Sequence, residues 1–153
     1  MLPATTLAGH CYRSMFRDCT SLQVIPELPA TTLANYCYYD MFNGCTSLTI
    51  APRLLATTLA DYCYQGMFVD CTSLTEAPEL LATTLAERCY AWIFQRCSNL
   101  RYIKCLATNM SATGCLYNWV EDVAQSGTFV KSSQASWSTG VSGIPSGWTV
   151  QNA

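Results

Sequence analysis

Apolar positions along this chain follow a 26-residue rhythm instead of one continuous helical or strand period. The block Ala4-Thr5-Thr6-Leu7-Ala8 returns at 30–34, 56–60 and 82–86, and the pair Cys11/Cys19 returns as Cys37/Cys45, Cys63/Cys71 and Cys89/Cys97. Between residues 30–55 and 56–81, 19 of 26 positions are identical. A repeat of this length marks stacked units that bury a continuous core only against their neighbours. Within residues 30–55, Thr31, Thr32 and Leu33 favour an extended segment. Cys37, Met41 and Phe42 follow an i, i+4 apolar rule, which predicts a short helical or 3₁₀ turn with one buried face. Thr49-Ile50-Ala51 reads as a short strand ended by Pro52. The expected fold class is therefore an α/β solenoid of four 26-residue coils, at about 4–29, 30–55, 56–81 and 82–106 within an array spanning 1–106.

The pattern decays after residue 104. Cys115 still follows Cys89 by 26 residues, so residues 107–153 are expected to hold a degenerate fifth coil and a C-terminal cap. Leu116, Trp119, Val120 and Val123 predict an amphipathic helix over roughly 116–125, stopped by Gly127. Thr128-Phe129-Val130 and the region of Trp148-Thr149-Val150 read as strands, separated by a polar loop at Ser132–Ser142. Trp119, Trp137 and Trp148 are expected to pack over the last coil, with sugar stacking as the functional alternative.

Comparing the copies separates interior from exterior. The invariant columns are Leu7/33/59/85, Cys11/37/63/89, Phe16/42/68/94 (with Met15, Met41, Met67 and Ile93 before them), Cys19/45/71/97 and Leu22/48/74/100. Tyr12, Tyr38, Tyr64 and Tyr90 form a column expected to be half-buried, each hydroxyl reaching water or a backbone carbonyl. Every charged residue of 1–104 falls where the copies differ, which predicts an exterior free of structural duty. Two variable columns are candidates for ligand binding. One side offers Tyr36, Tyr62 and Arg88 after His10, beside Arg13 and Tyr39; the other offers Thr49, Thr75 and Arg101, with Tyr102 next to them. Tyr and Arg are the residues favoured at interaction hot spots; the alternative is that both columns are merely solvated.

Ten cysteines admit three explanations. Equivalent thiols on adjacent coils would stand about 4.8 Å apart with parallel side chains, whereas a disulfide needs Cβ atoms facing each other near 3.8 Å. The Cys-x7-Cys spacing matches no standard zinc site, and His10 is the only histidine. Ladders of buried thiols acting as small hydrophobes fit best, with a disulfide, Cys105 to Cys115 in particular, and a metal left as alternatives.

Charged residues make up 12% of the chain, about half the usual share of roughly 25%. The net charge of −2 offers no footprint for nucleic acid, and no apolar run approaches the roughly 20 residues of a membrane-inserted span. The first residues carry neither the basic nor the apolar region of a signal peptide. The array opens at residue 4 without a polar cap, which points to a fragment of a longer protein, or to an end covered by another chain. No phosphate loop, zinc-protease or nucleophile-elbow motif is present, so no enzyme activity and no cofactor are expected.

Met41-Phe42, Cys45-x-x-Leu48 and Ala51-Pro52, set in the string C-T-S-L-x-x-A-P-x-L-x-A-T-T-L-A, resemble the Bacteroides-type and treponemal BspA-like leucine-rich repeats over residues 2–106. The family's usual period is nearer 23 than the 26 found here. The tail Gly143–Val150 is similar to the endings of gut-bacterial surface proteins. The resemblance implies a leucine-rich repeat array in an extracellular or cell-surface protein, some relatives being adhesins. The expected function is a non-enzymatic interaction or adhesion module, binding a host or bacterial surface protein or glycan through an extended repeat face. The alternative is a structural spacer or self-stacking scaffold, with end-to-end self-association through the uncapped N-terminus.

Overall fold

The computed structural model describes residues 2–153. Among them there is no helix, and strand is confined to β1 (Tyr102–Cys105), β2 (Thr128–Lys131) and β3 (Thr149–Asn152), paired in parallel in the order β1-β2-β3. The molecule is thus not the α/β solenoid of leucine-rich repeat coils expected from the sequence. The strand expected at Thr49-Ile50-Ala51 is absent, and so is the helix expected at 116–125; β2 and β3 stand where strands were expected. None of the described residues forms a helix long and apolar enough to cross a membrane.

Successive copies are joined instead by a ribbon of overlapping turns. In the second copy, the N–H groups of Cys37, Tyr39, Met41, Asn43 and Cys45 each donate to the carbonyl three residues back. The alternate N–H groups, of Tyr36, Tyr38, Asp40, Phe42 and Gly44, donate to Asp61, Cys63, Gln65, Met67 and Val69 of the next copy. Ribbons at 8–19, 34–45, 60–71, 86–97 and 112–122 repeat the arrangement, giving five layers. Each inner ribbon therefore satisfies its backbone without helix or regular strand.

Residue chemistry selects this ribbon. Pairs alternate along the ribbon: Cys37 and Tyr38 are buried, Tyr39 and Asp40 intervene, Met41 and Phe42 are buried, Asn43 and Gly44 intervene, and Cys45 is buried. The second member of each intervening pair has positive φ, at Tyr36, Asp40 and Gly44 in this copy and at Tyr62, Gly66 and Asp70 in the next. Every second turn thus carries a left-handed residue in its third position, the type II signature. Asp, Asn and Gly are the residues that tolerate it best. A helix admits no such residue every fourth position, so the i, i+4 spacing belongs to a four-residue turn period, not to a 3.6-residue one.

The core is the file of inward pairs. Cys37, Met41, Phe42, Cys45 and Leu48 and their equivalents in the third layer are completely buried. Phe16, Phe42, Phe68 and Phe94 stack at 5.6, 5.7 and 5.8 Å between ring centroids. The tyrosine column is more buried than expected: Tyr38, Tyr64 and Tyr90 are each 1% exposed, and the Tyr38 hydroxyl has no hydrogen-bond partner. Leu7 and Leu85 are buried while Leu33 and Leu59 are half-buried, so that column is only partly interior. All ten cysteines are free. Cys45, Cys71 and Cys97 donate their Sγ–H to the carbonyls of Phe16, Phe42 and Phe68 at 3.1, 3.2 and 3.0 Å, tying each layer to the one before it.

Strand appears only where proline stops. Pro26, Pro52 and Pro78 occupy one column, and the fourth copy has Lys104 there, inside β1. Proline holds φ near −65° and has no N–H, which is incompatible with a central strand. Isolated bridges Glu76↔Tyr102 and Leu80↔Cys105 flank Pro78, leaving one surplus residue on the proline-bearing layer, as in a bulge. Beyond β1 the tail packs on the fifth layer. Trp119 is fully buried, with Nε1 donating to the Gly143 carbonyl at 2.8 Å, and Trp148 donates to Ala124 at 2.7 Å. Gly127 ends no helix: a Cβ there would meet the Arg101 carbonyl carbon and the Trp148 ring, each at 2.9 Å.

Candidate interaction faces

The sequence-selected residues fall on two faces of the stack. Tyr36, Tyr62 and Arg88 occupy the left-handed position that opens each ribbon, so successive layers bring them into one row. His10 stacks on Tyr36 at 4.7 Å and Tyr36 on Tyr62 at 4.5 Å, with ring planes within 5° and 13°. The row is largely occupied by itself. Both faces of Tyr36 are covered, the Tyr62 hydroxyl donates to Glu87 Oε1 at 2.7 Å, and the Arg88 stem lies over Gly114. That hydrogen bond, with burial behind it, pushes the Tyr62 phenol up to about 12. Tyr39 packs obliquely on Tyr36 and lies under the Arg13 guanidinium, 4.8 Å from its ring centre.

Thr49 and Thr75 are both exposed. Both line a groove of about 220 Å³ with Ile50, Glu76 and Pro78. Arg101 is exposed and its N–H donates to the Thr75 carbonyl at 2.9 Å, while Tyr102 begins β1 and is bridged to Glu76. A larger groove of about 370 Å³ runs between the first two layers, lined by Ile25, Pro26, Leu28, Ile50, Pro52 and Leu55. No interlayer backbone hydrogen bond joins residues 23–29 to 49–55 among the described residues, so the layers part along this proline side. Val24 and Ile50, neighbours in one column, are 86% and 72% exposed. Neither of these two grooves is lined by a residue of the tyrosine row.

The charge pattern hides one structural carboxylate. Asp40 is buried, against the expectation that every variable charged position is exterior. Arg17 reaches it at 3.0 Å from the first layer, and the Asn43 amide donates to it at 3.2 Å. Burial raises its pKa, and those two partners pull the other way. Its signal in the sequence is position, because Asp40 holds a left-handed site equivalent to Gly66. On the rim, Arg96 makes a two-pronged pair with Asp70 at 2.6 and 2.5 Å, which lowers the Asp70 carboxyl below its ordinary value. Among the described residues no three His, Cys, Asp or Glu side chains converge as a metal site would require.

Comparison with family models, with curated proteins and with solved structures finds no match to this chain.

Proposed function

We propose that the chain is a non-enzymatic interaction module that recognises a partner protein through its proline side. One observation carries the reading: exposed Ile50 lines an apolar interlayer groove, and Val24, its equivalent in the first layer, is exposed next in sequence to the lining residue Ile25. Large side chains exposed beside a cleft are what a partner's hot-spot residues fill. Thr49, Thr75 and Arg101 supply polar groups along the adjacent column, the rim that such an apolar centre needs. The tyrosine row is the weaker candidate, because the rings already cover one another. A glycan stacks on open ring faces, so a protein partner is preferred to a glycan. The resemblance of the repeat to those of bacterial surface proteins supports an extracellular or cell-surface setting.

The test pairs two variants of the whole chain, Val24→Ser with Ile50→Ser and Tyr36→Ser with Tyr62→Ser, against displayed extracellular protein fragments and a glycan array. Protein ligands of the parent chain should lose at least about ten-fold in affinity on the first variant, roughly 1.4 kcal/mol, and bind the second nearly unchanged. Ligands indifferent to Val24 and Ile50, or glycans lost with the tyrosines, would overturn the assignment.

A further inference from the structure

Each layer passes its alternate N–H groups to carbonyls of the next, and two ribbon positions of the fifth layer depart from that rule. His10, Tyr36, Tyr62 and Arg88 donate to Asn35, Asp61, Glu87 and Thr113. Two residues on, Tyr12, Tyr38, Tyr64 and Tyr90 donate to Cys37, Cys63, Cys89 and Cys115. Gly114 and Leu116 hold these two positions in the fifth layer, and Gly114, at φ +60°, keeps the left-handed geometry of its column. Their N–H groups donate to no acceptor among the described residues. The tail over this layer serves later positions instead: Asn118 N–H donates to Ser142 Oγ at 3.0 Å and Val120 N–H to the Val141 carbonyl at 3.2 Å.

Gly114 and Leu116 line a pocket of about 330 Å³ between the fifth ribbon and the tail segment 136–142. Met110, Ala112, Tyr117 and Trp137 give it an apolar wall, Ser136 and Ser138 bring hydroxyls, and no acidic or basic side chain lines it. Trp119 and Trp148 are tied by their indoles to the Gly143 and Ala124 carbonyls, whereas Trp137 Nε1 has no partner. The ribbon's carbonyls are engaged: those of Ala112, Thr113, Gly114, Cys115 and Leu116 accept from Cys115, Arg88, Tyr117, Tyr90 and Trp119. This wall therefore offers donors and no free carbonyl. Main-chain N–H groups in such turns form concavities suited to anions. The Arg88 side chain crosses Gly114, where a Cβ would meet its Nε at 3.5 Å, and brings positive charge to the rim.

We propose that this pocket binds a carboxylic acid with an apolar body. Its carboxylate accepts from the Gly114 and Leu116 N–H groups, and its body lies against Met110 and Trp137. An ionised carboxylate only accepts hydrogen bonds, and those it makes are roughly twice as strong as bonds between neutral groups. The hydroxyls of a saccharide must also donate, and the ribbon has no free carbonyl for them. Inorganic phosphate would leave the apolar wall unused. The pocket is distinct from the proline side and does not depend on the function assigned to it.

The test titrates the whole isotope-labelled chain with hydrocinnamate and follows the amide signals of Gly114 and Leu116, which should shift and saturate below about 10 mM. Hydrocinnamamide keeps the ring without the charge, and acetate keeps the charge without the ring; each should bind at least about ten-fold more weakly. Ala112→Phe and, from the opposite wall, Ser136→Trp fill the pocket and should abolish binding with the urea midpoint kept. The tripeptide alanyl-alanyl-phenylalanine separates two sources of the same chemistry. Tighter binding than the free acid assigns the carboxylate to a peptide C-terminus, and weaker binding assigns it to a small acid. Equal binding of the amide, of acetate or of phosphate would overturn the proposal. So would binding that survives both filled pockets, or a titration that does not saturate.

Discussion

At the scale of single residues, the ribbon depends on which side chains can sit at positive φ. Column 14/40/66/92/118 holds Ser, Asp, Gly, Trp and Asn, all left-handed. A non-glycine residue there costs roughly 1–2 kcal/mol, so exchanges at two positions of this column should have opposite signs. Ser14→Gly relieves the strain at a half-buried site and should stabilise by about 0.5–1 kcal/mol. Gly66→Ala puts a Cβ against the Asp40 carboxylate at φ +63° and should destabilise by at least about 1 kcal/mol. Urea midpoints of the two variants check both; the same sign for both would mean that backbone conformation does not govern this column. The column was legible in principle. Asp and Gly recur at every fourth residue in Asp40, Gly44, Gly66 and Asp70, where an amphipathic helix would present a continuous stripe. The apolar pairs 37/38 and 41/42 obscured it, because i, i+4 spacing is common to a helix and to this turn period.

At the scale of elements, the proline column governs where the sheet can form. The strands β2 and β3 could be read from the sequence because Thr128-Phe129-Val130 and Trp148-Thr149-Val150 carry the β-branched and aromatic residues of strands and no proline. The expected strand at Thr49-Ile50-Ala51 had the same local preference, yet Pro52 follows it and the neighbouring layers carry Pro26 and Pro78 at the same height. Aligned prolines leave no run of donors on either partner, and local propensity cannot reveal that. Lys104→Pro should therefore erase β1, sandwiched as it is between the third layer and β2. The cost should reach about 3 kcal/mol or more, with amide exchange at Thr128–Lys131 accelerated as the partner strand is lost. Unchanged protection of β2 would mean that the proline column is not what limits the sheet.

At the scale of the whole molecule, burial passes from layer to layer and is least in the first layer, where Cys11, Cys19 and Met15 are exposed. The candidate faces were legible as variable columns, but their occupancy was not. Whether Tyr36 is free or stacked depends on the 4.5 and 4.7 Å approach of its neighbours, which no single copy contains. The buried thiols turn this layering into a pH response. Burial raises Cys37 and Cys45 to about 11 and Cys89 and Cys105 to about 12, and it drives Cys63, Cys71 and Cys97 well above the ordinary thiol value. Below about pH 9 these thiols keep their protons folded or unfolded, so their contribution to stability is intact. Above it the unfolded thiols ionise while the buried ones cannot, and the balance shifts toward unfolding until pH passes the folded values. Each such thiol removes about 1.4 kcal/mol per pH unit in that window. Urea midpoints should therefore fall steeply from about pH 9 upward, and Cys37→Ala should make the fall shallower by about one proton's worth. A slope unchanged by Cys37→Ala would mean that the second layer is open to solvent, and that the stack does not protect its interior as the burial of Cys37 describes.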